Sequence, residues 1–309
     1  METMLTWLTL GVVIAASPLP PGLHERSICV EGLRRSYLIH VPGTLAAAET
    51  WPVVLAFHGA GANARQMLRM SGLNEKADDS RFVVVYPEGT GVGPLKTFNG
   101  GGRGGAMAER DVDDVAFIHG LLDDLASLIP LDSCRVFATG ISNGGMMCHR
   151  LAAEMPERIA AIAPVAGTLA VRLPPLPRGV PVMHFHGRSD GIVPWTGPNL
   201  MTPRFLTFLS VDATVAAWRQ ANGCPDGWTI SEFENVARDG TLVRRHSSRP
   251  GRDGSEVILI DIEGGGHTWP GRPNLMILLG KTTRDISAND LMWEFFEQHP
   301  LPPPEASPP

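Results

Sequence analysis

Six stretches of this chain are apolar almost without interruption, and a glycine follows each within three residues. They are residues 51–57 (WPVVLAF), 82–86 (FVVVY), 136–138 (VFA), 159–165 (IAAIAPV), 180–185 (VPVMHF) and 256–262 (EVILIDI). A strand with one wet face alternates apolar and polar residues. A run without a polar face fits a strand covered on both sides, as in a parallel sheet. Helical spacing fills several of the gaps. Asp113 and Asp114 stand where an N-cap belongs, and Val115, Phe117, Ile118, Leu121, Leu122 and Leu125 follow at helical intervals. Residues 64–79 and 214–221 are expected to be helical. So is 285–298, an amphipathic stretch carrying Ile286, Leu291, Trp293 and Phe296. Ahead of the first run, residues 28–41 predict two antiparallel strands turning at Glu31-Gly32. Strands alternating with helices predict an α/β fold with a mostly parallel central sheet and helices on both faces. With no internal repeat and no clean linker, residues 28–299 read as one domain.

The third run feeds a tight turn, Gly140-Ile141-Ser142-Asn143-Gly144, with a long helical pattern beginning near Gly144. Strand, Gly-x-Ser-x-Gly and helix together describe a nucleophile elbow, in which a serine hydroxyl is held at the apex of a strained turn. An alkoxide there sits over a helix N-terminus, whose free N–H groups favour negative charge. Serine needs a base to take its proton and a third group to orient that base. In α/β-hydrolases these follow in the order serine, acid, histidine at strand ends. The fifth run delivers Asp190 and the sixth delivers His267 behind Gly264-Gly265-Gly266, so the expected triad is Ser142, Asp190 and His267. The oxyanion hole is expected from the N–H of Asn143 and from Ala60, in the His58-Gly59-Ala60-Gly61 loop after the first run. His58 is read as shaping that loop. His149 points away down the elbow helix, and His184 with His186 has metal-like spacing but no third ligand beyond Asp190.

These pieces carry a resemblance. FHGAGAN (57–63), VVYPEG (84–89), DVDDVAFI (111–118), CRVFATGISNGGMM (134–147), AAIAPVAG (160–167), HGRSDGIVPW (186–195), WRQANGC (218–224), EGGGHTWPG (263–271) and WEFF (293–296) stand in family order. Together they are similar to the bacterial polyhydroxybutyrate depolymerase and feruloyl esterase family of α/β-hydrolases, across nearly the whole chain after residue 28. The resemblance implies the same triad, Ser142, Asp190 and His267. The chain departs from the family in having no cysteine in the glycine-rich loop and none near 250 to pair with Cys224. No polymer-binding module is expected within these 309 residues. The pairing of Cys29, Cys134, Cys148 and Cys224 stays open.

Composition narrows the partners. A net charge of −6 and the lack of any Lys/Arg run exclude nucleic acid and an anionic membrane surface as partners. Residues 4–16 are apolar but too short to span a bilayer, and a proline-rich stretch follows. Residues 1–17 are therefore expected to be a secretory signal, giving a secreted or periplasmic protein with no stable membrane insertion after its removal. The proline-rich tail, 300–309, is expected to be disordered. Residues 89–110 are rich in glycine, and Gly100, Gly102 and Gly105 have dinucleotide-motif spacing. No apolar strand leads into them, so a mobile active-site rim is expected, with Phe98 as its bulky contact. Trp195 and Trp269 flank two triad positions and are expected to line an acyl or aromatic pocket. The chain thus reads as a serine carboxylic-ester hydrolase without metal or organic cofactor. Its expected substrate is a hydroxybutyrate-type polyester or oligomer, the rival being a feruloyl or acetyl ester of plant polysaccharide. A non-catalytic binding protein on the same fold is the remote alternative.

Overall fold

A computed structural model describes residues 19–43, 49–102, 112–200, 202–204, 206–274 and 276–303. The expected signal at 1–17 and residues 304–309 of the tail lie outside these. The chain begins with β1 (Gly22–Val30), β2 (Leu33–Val41) and β3 (Trp51–Phe57), then α1 (Ala64–Ser71), α2 (Leu73–Ser80) and β4 (Val83–Pro87). It continues through β5 (Thr90–Val92), β6 (Leu95–Thr97), α3 (Asp114–Leu128), β7 (Leu131–Ile141), α4 (Asn143–Glu154), β8 (Ala161–Val165) and β9 (Val182–Gly187). The last elements are α5 (Val211–Asn222), β10 (Thr229–Glu232), β11 (Leu242–Ser247), β12 (Val257–Glu263) and α6 (Ala288–Glu297).

Ten strands form one sheet in the order β1-β2-β4-β3-β7-β8-β9-β12-β11-β10. The six from β4 to β12 are mutually parallel, and each carries one of the apolar runs. Antiparallel strands close both sides: β1–β2 beside β4, and β11–β10 beside β12. The first hairpin turns at Glu31 and Gly32, both with positive φ (49° and 78°), the two-residue geometry that matches strand twist.

Both faces of the parallel strands are covered, which is why they lack a polar face. Along β3, Val53, Leu55 and Phe57 join one core with Phe117, Leu121, Leu151 and Trp218 of α3, α4 and α5. Val54 and Ala56 point the other way, to Met67, Leu73, Trp293 and Phe296 of α1, α2 and α6. The helices cap as expected. Asp113 Oδ1 accepts the N–H groups of Val115 and Ala116 at 2.9 and 3.0 Å, and Ser287 caps α6.

Two expectations change. Residues 64–79 are two helices rather than one. The break is Gly72, left-handed at φ 63°, and the Arg272 guanidinium occupies the space a side chain there would need. Residues 89–110 are not a featureless rim: β5 and β6 form an antiparallel hairpin within them. Of the glycine motif, only Gly100 and Gly102 are among the described residues.

Candidate active site

Because β4 to β12 run in one direction, their C-terminal ends make a single edge of the sheet, where open α/β sheets bind ligands. Ser142 follows β7 on that edge. Its backbone sits at φ 59°, ψ −121°, a region that costs a non-glycine residue strain. The strain is held from both sides. Ser142 N–H donates to Val165 O of β8 at 2.9 Å, and Ser142 O accepts the N–H of Met146 in α4 at 2.9 Å. The motif's glycines serve close approach, not unusual φ. A Cβ on Gly140 would stand 2.7 Å from the carbonyl oxygen of Phe57, and one on Gly144 would overlap that same oxygen. The elbow is thus wedged against the end of β3.

Asp190 and His267 arrive from β9 and β12, neighbours in the sheet. His267 Nδ1 and Asp190 Oδ2 are 2.7 Å apart, and both residues are buried. The other carboxylate oxygen, Oδ1, accepts the N–H groups of Ile192 and Val193, each at 2.8 Å. A carboxylate acceptor makes Nδ1 the protonated ring nitrogen and leaves His267 Nε2 as an acceptor. Among the described residues the Ser142 hydroxyl makes no hydrogen bond, to His267 or to anything else. Without substrate such bonds are commonly long and tighten on binding.

Opposite this pair lies the loop after β3. Gly59 approaches Ser142 so closely that a Cβ on it would lie 3.4 Å from the serine Cβ. Within the loop, Gly61 N–H donates to Lys96 O at 2.7 Å and Ala62 N–H to Gly59 O at 3.1 Å. The Ala60 N–H takes part in neither bond, and Asn143 N–H opens α4, where the helix has no internal acceptor for it. His58 braces the loop. Its Nδ1–H donates to Gly59 O at 2.8 Å, and its Nε2 accepts Gly89 N–H at 3.0 Å. Burial pushes its pKa down to about 4, so it is neutral and bonded at both nitrogens.

The Asn143 side chain has a role that the sequence reading missed. Its Oδ1 accepts from Phe98 N–H at 2.8 Å and from the Thr97 hydroxyl at 3.0 Å, while its Nδ2 donates to Phe98 O at 3.0 Å. One amide therefore bonds both backbone groups of Phe98, as a strand partner would. Buried Asp114, paired with Arg35 Nη2 at 2.5 Å, accepts Asn99 N–H at 2.6 Å and pins the next residue. Phe98 is consequently not a rim contact. It is fully buried, edge-on to Phe57 at 5.2 Å and against His58 at 4.5 Å. The hairpin leading to it and Ala60 line a cleft of about 290 Å³.

The two tryptophans also lie in the core instead of on a pocket wall. Trp195 donates to Asp212 at 3.1 Å beneath the Arg188 guanidinium, and Trp269 donates to Asn289 at 2.9 Å. Met146, four residues after Ser142, and Val193, three after Asp190, instead form a small apolar cluster with Phe208, apart from both cores. Phe208 also borders a cavity of about 810 Å³ between residues 169–175 and α5. His184 and His186 are fully buried and bonded to each other, and among the described residues no group of His, Cys, Asp and Glu is arranged to hold a metal. All four cysteines are free thiols. No helix among the described residues is long and apolar enough to cross a membrane.

Comparison with known proteins shows what the chain is similar to. The family model described as "Esterase PHB depolymerase" matches residues 35–193. "Putative esterase NocK" of Nocardia uniformis subsp. tsuyamanensis is 33% identical over 87% of this chain and 81% of its own length. "Feruloyl esterase B" of Piromyces equi is 26% identical over 75% of this chain, but the match spans only 42% of that protein. "Poly(3-hydroxyalkanoate) depolymerase C" of Paucimonas lemoignei is 32% identical over 41% of this chain and 30% of its own. Among solved structures, the "Acetyl xylan esterase from Aspergillus awamori" superposes with a TM-score of 0.56, at 17% identity, over 79% of this chain and 94% of that one. At that identity the likeness speaks to the fold.

Proposed function

This chain belongs to the esterase PHB depolymerase family, whose relatives are carboxylic ester hydrolases, and on that footing we propose that it cleaves esters through a serine acyl-enzyme built on Ser142, Asp190 and His267. The observation that carries this reading is the 2.7 Å bond between His267 Nδ1 and Asp190 on the edge where Ser142 holds its strained elbow. In the proposed cycle, His267 Nε2 takes the Ser142 proton as the oxygen attacks the ester carbonyl. Asp190 holds the imidazole in the tautomer that leaves Nε2 bare and stabilises the imidazolium that forms. The N–H groups of Asn143 and Ala60 receive the oxyanion. His267 then returns the proton to the departing alcohol, and water repeats the sequence on the acyl-enzyme. None of these steps calls on a cofactor.

For the substrate we favour a hydroxyalkanoate polyester or its oligomers. The support is the apolar surface around the same edge. Ile192 stands two residues beyond Asp190; Ile277 and Leu278 lie on the loop whose Leu279 O accepts His267 N–H; Val92 and Leu95 tip the hairpin beside Ala60. All five are exposed, Ile277 and Leu278 by more than 90%. Such a collar suits a water-insoluble ester. The second reading, a feruloyl or acetyl ester of polysaccharide, is favoured by the relatives bearing those activities in their names. Export by the segment 1–17 belongs to the same proposal, and N-terminal sequencing of secreted protein should find a start near Ser17.

The deciding experiment compares Ser142→Ala with the unchanged protein. An organophosphonate should label only the latter, and kcat should fall on the order of 10⁴ or more in the variant. Activity within tenfold of the original would remove the covalent mechanism. Rates on hydroxybutyrate oligomer, methyl ferulate and acetylated xylan then separate the two substrate readings.

A further inference from the structure

A file of buried aromatic rings runs from α5 to the carboxylate of Asp190. Trp218 Nε1–H, which can only donate, bonds His149 Nδ1 at 2.9 Å. His149 therefore carries its proton on Nε2 and donates to Gly167 O at 3.2 Å. Its ring stacks on His184 at 5.6 Å, and His184 stacks on His186 at 5.3 Å. At the far end Val193 O can only accept, so His186 carries its proton on Nε2, 2.8 Å from that oxygen. His186 Nδ1 must then accept, and the Nε2–H of His184 supplies the donor at 3.1 Å. Every tautomer follows from the two ends of the file. Burial lowers the pKa of all three imidazoles, which keeps them neutral.

The end of this file touches the triad twice. Val193, whose carbonyl His186 holds, donates its own N–H to Asp190 Oδ1. The proton-bearing Nε2 of His186 also lies 3.6 Å from Asp190 Oδ2, the oxygen that His267 uses. Rotation of the turn at 190–193 would turn the carboxylate away from His267. Besides His186, the turn is held by Asp190 N–H on Gly187 O at 3.2 Å and by Val193 packing with Met146 and Phe208, and of these only His186 bonds the Val193 carbonyl. We propose that His186 is a positioning residue for Asp190, locking the 190–193 turn through Val193 O, with His184 fixing the tautomer that makes this possible. The proposal rests on the triad reading above.

The test is a double-mutant cycle on kcat per titrated active site, with a p-nitrophenyl ester as substrate. His186→Leu should lower kcat roughly 30-fold with KM within about threefold, because it disturbs the orientation of the base and not substrate contacts. In an Asp190→Asn background, where the carboxylate no longer orients His267, the same change should cost less than about threefold. His186→Gln, whose amide can still donate to Val193 O, should recover most of the loss. If His186→Leu does not fold, His184→Phe removes only the donor to His186 and takes its place in the cycle, with a smaller loss confined to the Asp190 background. Equal losses in both backgrounds, or a lowered Tm with unchanged kcat per site, would assign His186 to packing alone and overturn the proposal. An Asp190→Asn protein with nearly full activity would sink the triad reading itself.

Discussion

Acid should unfold this protein sooner than its carboxylates alone would dictate. Burial outweighs every partner of His58 and His149, including Glu88 at 3.6 Å from His58 Nε2, and their pKa values fall to about 4 and about 3. Unfolded, each returns to about 6.5. A folded value below the unfolded one means that the denatured chain binds protons the native chain refuses, so stability is complete above about pH 6.5 and drains as pH falls toward 4. Each such group costs about 1.4 kcal/mol per pH unit in that window. At pH 4.5 His58 and His149 together remove roughly 5 kcal/mol, a large share of the 5–15 kcal/mol typical of a whole domain. His184 and His186 are shifted the same way and add to it. Urea denaturation followed by circular dichroism, at intervals from pH 7.5 to 4.5, measures the slope directly. It should reach at least about 2.4 kcal/mol per pH unit near pH 5.5, and His149→Gln should flatten it by about half of that. The Gln variant can be weaker at pH 7 without affecting the test, since only the slope is read. A flat curve between pH 6.5 and 5, or a slope that His149→Gln leaves unchanged, would mean that water reaches these rings and that the buried-neutral account is wrong.

Other outcomes follow from the site. Asn143→Ala removes three hydrogen bonds to Thr97 and Phe98 while keeping the backbone N–H assigned to the oxyanion. It should cost about 2–3 kcal/mol of stability, and hydrogen exchange should speed up over residues 95–99. Unchanged protection there would show that Asp114 alone holds the segment. Asp190→Asn should lower kcat by roughly 10³–10⁴. Asp261→Asn, which loses a bidentate bond to the half-exposed Arg188, should cost activity far less, and the opposite ranking would mean the wrong carboxylate has been assigned. Phe208→Ala should open the Met146 and Val193 side of the site toward the 810 Å³ cavity and raise kcat/KM for bulky acyl esters relative to acetate. An equal effect on both ester sizes would separate that cavity from the substrate.

The central sheet was legible because double-sided burial writes itself into every residue of a strand. WPVVLAF and VVVY admit little else, and the proposed serine, acid and histidine stand beyond the ends of such strands. What escaped was set by partners distant in sequence. Gly72 breaks a helix for the sake of Arg272, some 200 residues on. Phe98 was misjudged because glycine-rich surroundings say nothing of an amide in α4 that can bond a backbone twice. Trp195 and Trp269 were drawn toward the substrate by proximity in sequence to Asp190 and His267, whereas their N–H groups had buried acceptors elsewhere. β10 and β11 left no apolar signal, since TISE is wholly exposed and LVRRHS carries two arginines. His184 and His186 alternate as metal ligands would. Their true third companion, His149, lies on another element.

The order of strands also sets a timetable. The elbow at Ser142 depends on β3, β7 and β8, all complete by residue 165. His267 lies a further hundred residues along, behind the last strand in the chain, and α6, which packs on β7, β8 and β9, comes later still. A chain emerging from the ribosome would therefore display the proposed nucleophile long before it owned the proposed base. Cleaving power would switch on at the end of synthesis and folding together, because the contact between His267 and Asp190 spans 77 positions. Onset of ester hydrolysis during refolding would thus report the completed fold, where circular dichroism registers helices already standing.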